Sequence, residues 1–266
     1  MKKVAVVIPF YKDQISAYEE IALKQCEKIL ADHPKIAIKP VNFDLPDVAK
    51  EVNFQNTISF DHRYFKSISG YNRLMLSAEF YKAFLDYEYI LIYQMDCFVF
   101  SDQLHFWCSQ NWDYIGAPWI KKTYHKSPFE LQLLNLKQGI ASRFNFADNN
   151  IPNQYQLDNQ VGNGGFSLRC VRKFHDLSIL MKPLIDHYLS SEGNLYNEDV
   201  FWSLEVNRES RVLNIPNSET ALKFAVEVPS IKIEHLKTED LPFGCHDWDR
   251  YADYWQPVFQ KLGYNI

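Results

Sequence analysis

Apolar and polar positions along the first hundred residues alternate between two periods, and the alternation predicts a layered α/β fold. Lys3-Val-Ala-Val-Val-Ile-Pro9 is an unbroken apolar run with four β-branched members, the pattern of a strand buried on both faces as in a parallel sheet. From Ile15 to about Leu30 the apolar positions Ile15, Tyr18, Ala22, Cys26 and Ile29 recur at helical spacing. Lys35 to Val41 then alternates like a short strand, which makes a strand-helix-strand crossover unit. Thr57-Ile-Ser-Phe60 is a further short strand candidate, and a helix is expected from Ser69 to about Asp86 with Leu74, Ala78, Tyr81 and Leu85 on one stripe. Tyr87-Glu-Tyr-Ile-Leu-Ile-Tyr-Gln-Met-Asp96 is the most strand-like segment of the chain, and it ends in an acid.

Beyond it, Cys97 to Phe100 predicts a short strand, 103–110 a helix behind Ser101-Asp102, and Trp112 to Pro118 another strand. Residues 119–160 are polar and are expected to form an irregular excursion or lid. After the glycine cluster Gly162-Asn-Gly-Gly165 come helices at about 171–189 and 198–208, a short strand to Ile215, a helix at about 218–226 and an aromatic amphipathic helix at about 248–262. No repeat or linker interrupts this order. The expectation is one domain spanning 1–266, with a mixed, mainly parallel sheet flanked by helices and a helical C-terminal portion.

Composition narrows the function classes. The 28 Lys and Arg against 33 Asp and Glu give a formal charge of −5, and without a basic tract the chain lacks the footprint of a nucleic-acid binder. No apolar stretch approaches the roughly 18–20 residues that span a bilayer, and the apolar run near Met1 is too short, and too soon ended by Pro9, for a signal peptide, so a cytoplasmic protein is expected. Five widely spaced cysteines without a CxxC pair suggest buried thiols rather than a disulfide framework or zinc knuckle. The 19 Phe, 16 Tyr and 6 Trp make either a bulky core or a stacking surface, and their number does not choose.

Five places could carry chemistry. Ile8 to Asp13 contains no glycine, which argues against a Rossmann cofactor or a Walker-type phosphate loop. Asp96 ends an apolar strand, where an acid either coordinates a cation or caps a turn. Gly162-Asn-Gly-Gly-Phe-Ser-Leu-Arg169 allows close backbone approach to a ligand or makes an ordinary tight turn. In Asn197-Glu-Asp-Val-Phe-Trp202 the acids suit a helix N-terminus, and one facing a pocket would also serve as a general base. Pro242-Phe-Gly-Cys-His-Asp-Trp248 offers a late histidine with too few neighbours for structural zinc.

The order of these motifs resembles the GT-A superfamily of nucleotide-sugar glycosyltransferases, and the segments Tyr71-Asn-Arg-Leu-Met-Leu, Tyr93-Gln-Met-Asp96, Gly162 to Arg169 and Asn197 to Trp202 resemble its bacterial and fungal DUF5672-like branch. The resemblance implies a GT-A-like sheet with a nucleotide-binding half over 1–118 and an acceptor-side half over 119–266. It aligns Asp96 with the metal-binding second acid of an Asp-x-Asp motif and leaves Gln94 in place of the first, which weakens the case for a cation. His246 matches the family's late metal ligand, with His235 a weaker candidate, and the implied cofactor is Mn²⁺ or Mg²⁺. Asp199 is the implied base, with Glu198 holding an acceptor hydroxyl or shaping the helix start.

On the donor side the resemblance places Pro9, Phe10 and Tyr11 near the base of the nucleotide, with Tyr71 or Arg73 near its ribose or phosphates. Asn163, Gly164, Gly165, Trp119, Trp202 and Trp248 are expected on the acceptor side. Without a metal, Arg73, Lys12 or another cation would have to neutralise the diphosphate. The implied reaction is hexose transfer from a nucleotide-diphosphate sugar, UDP foremost, to a glycan or lipid-linked glycan with inversion. Retaining transfer and a catalytically silent carbohydrate-binding protein stay open as alternatives. The aromatic C-terminal helix could lie on a membrane surface, at its inner face, but Asp247, Asp249 and Asp253 against Arg250 and Lys261 favour packing on the domain.

Overall fold

The computed structural model describes residues 2–120, 128–148, 151–152, 154–191, 196–229 and 240–266. Eleven strands are present among them: β1 (Lys2–Pro9), β2 (Lys35–Pro40), β3 (Phe54–Phe60), β4 (Tyr87–Tyr93), β5 (Phe98–Val99), β6 (Tyr114–Gly116), β7 (Ala147–Asp148), β8 (Ile151–Pro152), β9 (Phe166–Cys170), β10 (Ala225–Val226) and β11 (Gly244–Cys245). Six of them form the main sheet in the order β3-β2-β1-β4-β9-β6. The β1–β2, β2–β3 and β1–β4 pairs are parallel, and β9 runs antiparallel to both β4 and β6. The expected mixed, mainly parallel sheet is therefore present.

The apolar run of β1 has no polar face because the sheet is covered on both sides. Val4, Val6 and Ile8 pack with Leu23 and Cys26 of α1 (Ala17–Ile29) and with Leu30, its C-cap. Ala5 and Val7 point the other way, into a cluster with Leu74 of α2 (Ile68–Met75), Phe80 of α3 (Ala78–Lys82) and Phe84. Ser16 caps α1 through a capping box with Glu19. The single helix expected over 69–86 is two, because the Ser77 hydroxyl accepts from the Phe80 N–H and donates to the Leu74 carbonyl, ending one helix and starting the next.

Three further differences have local causes. The excursion at 119–160 contains, after α4 (Leu104–Ser109), a 16-residue helix, α5 (Pro128–Arg143), whose apolar residues Phe129, Leu133, Leu136 and Ile140 are exposed, so that it does not follow the core-facing pattern of the other helices. The helix expected at 171–189 is α6 (Val171–Leu180) and α7 (Lys182–Tyr188), broken at Met181 where Pro183 opens the second. No strand leads to Ile215. Asn214 is instead held by a bond to the Asp113 carboxylate and by its own carbonyl, which accepts from the Asp113 N–H.

Two short helices, α8 (Glu198–Ser203) and α9 (Ser218–Phe224), precede β10. A small sheet, β10-β11-β5, then ties the C-terminal region to the turn after β4. Its far side is an aromatic core in which Trp255, Val258 and Phe259 of α10 (Ala252–Lys261) bury against Phe98, Phe100 and Trp248. That packing is why the last helix is amphipathic. All five cysteines are free. Among the described residues no helix is long and apolar enough to cross a membrane.

Candidate functional site

Two pieces of backbone meet beyond the carboxyl end of β4. The turn after the strand is closed by the Cys97 N–H on the Gln94 carbonyl, and Gln94 N–H bonds the Gly165 carbonyl at 3.0 Å, so the end of β4 is sewn to the glycine cluster that enters β9. The small sheet sets what faces it. Phe98 pairs with Cys245, and Cys245 pairs with Val226, so Asp96 just before β5, His246 just after β11 and Glu227 just after β10 leave adjacent strand ends at one place.

The imidazole of His246 lies between two acids. Its Nε2 is 3.2 Å from Asp96 Oδ1 and its Nδ1 is 3.6 Å from Glu227 Oε1. Burial alone would lower the imidazole pKa, and the two carboxylates outweigh it and raise it to about 10. Burial likewise works to raise Asp96, but the His246 charge prevails and holds this carboxyl below its usual value. Glu227 also accepts from Asn163 Nδ2 at 2.8 Å.

Glycine at 165 follows from this crowding. A Cβ there would lie 2.1 Å from His246 Nε2 and 2.8 Å from Gln94 Oε1. At Gly164 a Cβ would lie 2.3 Å from Glu198 Oε1. Both residues let the backbone pass between the two acidic groups of the cleft.

The adjacent acids of α8 have different fates. Glu198 is buried and receives a two-pronged ion pair from Arg169, with Nη2 to Oε1 at 3.0 Å and Nη1 to Oε2 at 3.1 Å. The remaining Arg169 donors go to Ser167 Oγ, the Tyr81 hydroxyl and the Gly164 carbonyl, so this fully buried guanidinium has a partner for every face. Among the described residues, Asp199 has only the N–H of Val200 as a hydrogen-bond partner, at 2.8 Å. Burial, then the neighbouring Glu198 and Glu227 charges, raise its carboxyl to about 7.

These groups line a cleft of about 630 Å³, with Tyr11, Tyr71 and Asn197 on its walls and Lys66, Asp247 and Arg250 at its edge. Of the residues expected on the donor side, Tyr11, Tyr71, Gln94 and Asp96 reach this cleft. Pro9 and Phe10 do not: both are buried, and the Phe10 ring packs edge-on against Phe54 at 5.7 Å. Arg73 donates to the Leu189 carbonyl and lines a different cavity, and Lys12 is paired with Glu19 at 2.7 Å.

On the acceptor side Asn163, Gly164 and Gly165 line the cleft, and the tryptophans do not. Trp202 is fully buried, with its indole N–H on the Met75 carbonyl. Trp248 is fully buried in the C-terminal aromatic core, and Trp119 lies against Gly162. Stacking on a sugar is not open to Trp202 or Trp248. His235 lies outside the described residues. Glu227, Lys66 and Arg250 were not singled out from sequence; the small-sheet register that brings in Glu227 has no local signature.

Asp96, Cys97 and His246 offer ligand atoms within 4.8 Å of one another. Cys97 is a poor member of that set, since its thiol is fully buried, donates to the Gly165 carbonyl and is pushed well above the usual thiol pKa. Among the described residues Asp96 Oδ1 and His246 Nδ1 are buried and have only the ion-pair contacts at 3.2 and 3.6 Å given above, with no hydrogen bond of good geometry. One carboxylate and one imidazole with atoms to spare fit part of the shell of a divalent cation, whose other positions open to the cleft.

The residues from 54 to 246 match the model of a family described as a protein of unknown function, DUF5672. The chain belongs to the DUF5672 family. No curated protein sequence matches this DUF5672 chain. Solved structures do. A galactosyltransferase, LgtC, in complex with donor and acceptor sugar analogues shares 15% identity at a TM-score of 0.54, covering 97% of this chain and 94% of that one. Mouse xyloside xylosyltransferase 1 in its apo form shares 10% identity at a TM-score of 0.50, covering 92% of this chain and 97% of that one. The likeness shows a GT-A-like fold for this DUF5672 chain, with its cleft at the carboxyl end of the central strands.

Proposed function

We infer that the protein is a glycosyltransferase that moves a hexose from a nucleotide-diphosphate sugar, UDP foremost, to a glycan or lipid-linked glycan, with inversion. The observation that carries this reading is Asp199, a carboxyl lining the same cleft as Asp96 and His246, with a pKa near 7 and, among the described residues, only its own helix's N–H for a partner. A general base works best when its pKa lies near the working pH. The galactosyltransferase of the same fold, caught with donor and acceptor analogues, supports sugar substrates.

In this scheme Asp199 takes the proton of the acceptor hydroxyl as its oxygen attacks the anomeric carbon, and the nucleotide diphosphate leaves from the opposite face. Glu198, tied to Arg169, fixes the first turn of α8 in this scheme and so the aim of Asp199. In the same scheme Tyr11, half exposed beyond the end of β1 and lining the cleft, meets the base of the nucleotide. Asp96 and His246 would hold Mn²⁺ or Mg²⁺, with Gln94 as a neutral neighbour. Such a cation supplies positive charge to the diphosphate leaving group. A cation must displace the proton that His246 now keeps, and Lys66, with Arg250 if it leaves its ion pair with Asp247, is the cleft's own positive charge for the same task.

The test is release of nucleotide diphosphate from a panel of nucleotide sugars with and without Mn²⁺. Turnover should vanish in Asp199→Asn while donor binding survives. Glycan binding with no affinity for any nucleotide would establish the silent binding protein instead, and retention of configuration in the product would remove Asp199 as the base.

A further inference from the structure

Among the described residues, α5 carries a run of exposed apolar side chains, none of which lines the cleft. Phe129, Leu133, Leu136 and Ile140 are 74%, 44%, 60% and 41% exposed, and Phe144, whose N–H still bonds the Ile140 carbonyl, is 66% exposed. Steps of four, three, four and four residues place all five on one face of a helix. The opposite face holds α5 to the domain: Ala141 is buried, Gln138 donates to the Asp158 carbonyl, and the Ser142 carbonyl accepts from Arg208. At the end of the stripe Phe146 stacks on Phe144 with centroids 6.2 Å apart, adding a second exposed ring.

We propose that this face is a two-fold interface on which a second copy of the chain packs its own α5 antiparallel. The stripe reads the same from either end. Turned about the midpoint between Leu136 and Lys137, Phe129 faces the partner's Phe144 and Leu133 faces the partner's Ile140, and the two Leu136 side chains meet near the axis. A two-fold interface requires such self-complementarity, since each contact must occur twice.

The area suffices. At about 150–250 Å² for a whole aromatic side chain and somewhat less for Leu or Ile, the six exposed side chains present about 600 Å² per copy, or about 1,200 Å² for the pair, the lower edge of stable interfaces. Charge at the rim selects this occupant over a bilayer. Glu130, Lys137 and Arg143 put both signs beside the stripe in a chain of net charge −5, whereas an interfacial helix on anionic lipid carries a basic face. None of the six side chains lines the cleft, so the proposal stands independently of the glycosyltransferase reading.

Sedimentation velocity of the full chain over a dilution series should show a species of twice 31.4 kDa that dissociates on dilution. Leu136→Glu, at a site exposed enough to leave folding intact, should halve the mass with the melting temperature unchanged. Register is read by disulfide trapping. Leu136→Cys should cross-link to itself, while Phe129→Cys should cross-link only when mixed with Phe144→Cys, because the two copies of residue 129 lie about 22 Å apart along the antiparallel pair. A monomer at every concentration, a dimer that survives Leu136→Glu, or efficient self-linking of Phe129→Cys overturns the proposal. So does a monomer that sediments with lipid vesicles through this face.

Discussion

Asp199→Asn should make the protein more stable at alkaline pH, although it removes the proposed base. A carboxyl raised from 3.8 to about 7 holds its proton more tightly folded than unfolded. The stability that this group contributes is therefore full below the unfolded value, falls as pH rises towards 7, and is lost above it. The whole difference is on the order of 4 kcal/mol, an upper limit because solvent in the cleft reaches Asp199. Asparagine keeps the shape and the oxygen that accepts from the Val200 N–H, but has no charge to bury beside Glu198 and Glu227. Thermal melts of both proteins between pH 4.5 and 8.5 should give nearly equal midpoints at the acid end, and an excess of about 5–10 °C for the variant at the alkaline end. An excess independent of pH, or none at pH 8.5, refutes the assignment of a raised carboxyl at this position.

Other expectations are more local. If Asp199 is the base, turnover of the wild-type protein should rise with pH through about 7, and an initial-rate profile that falls over that interval would exclude it. Arg169→Met should cost about 3–5 kcal/mol in urea unfolding because Glu198 is left charged and alone, and adding Glu198→Leu should restore most of the loss. Gly165→Ala should weaken Mn²⁺ and donor affinity by calorimetry, since its methyl occupies the place of the His246 ring. Gly139→Ala, with open space around the new methyl in α5, should instead gain about 0.5–1 kcal/mol of stability in the same unfolding assay.

The sheet was legible in the sequence where burial is two-sided and short-range pattern is strong. Val4 to Ile8 and Tyr89 to Tyr93 read as strands because both faces are covered, and the sheet places them side by side. Helix breaks were not legible. Ser77 and Met181 sit inside continuous apolar periodicity, and what stops the helices there is a side-chain bond in one case and a following proline in the other. Tryptophan was the most misleading residue. Trp202 and Trp248 lie next to functional motifs in sequence, but helical and turn geometry send their rings into the core while Asp199 and His246 face the cleft.

The pair at 198 and 199 shows why a motif alone could not assign roles. Two adjacent carboxylates at a helix start are equivalent by the dipole argument, and both are favoured there. What separates them is Arg169, seated on β9 with its side chain on the face of the sheet that α8 covers. The arginine pairs with one acid through two hydrogen bonds and leaves the other beside a buried negative neighbour with, among the described residues, no ion pair of its own. One acid becomes fixed structure, and the other becomes a group whose proton is exchangeable near neutral pH. Moving the arginine would exchange or erase those roles without altering the Glu-Asp motif. The glycosyltransferase reading therefore depends as much on residue 169 as on residue 199, and Arg169→Lys, which cannot span both carboxylate oxygens and the Gly164 carbonyl, should lower turnover even where the protein stays folded.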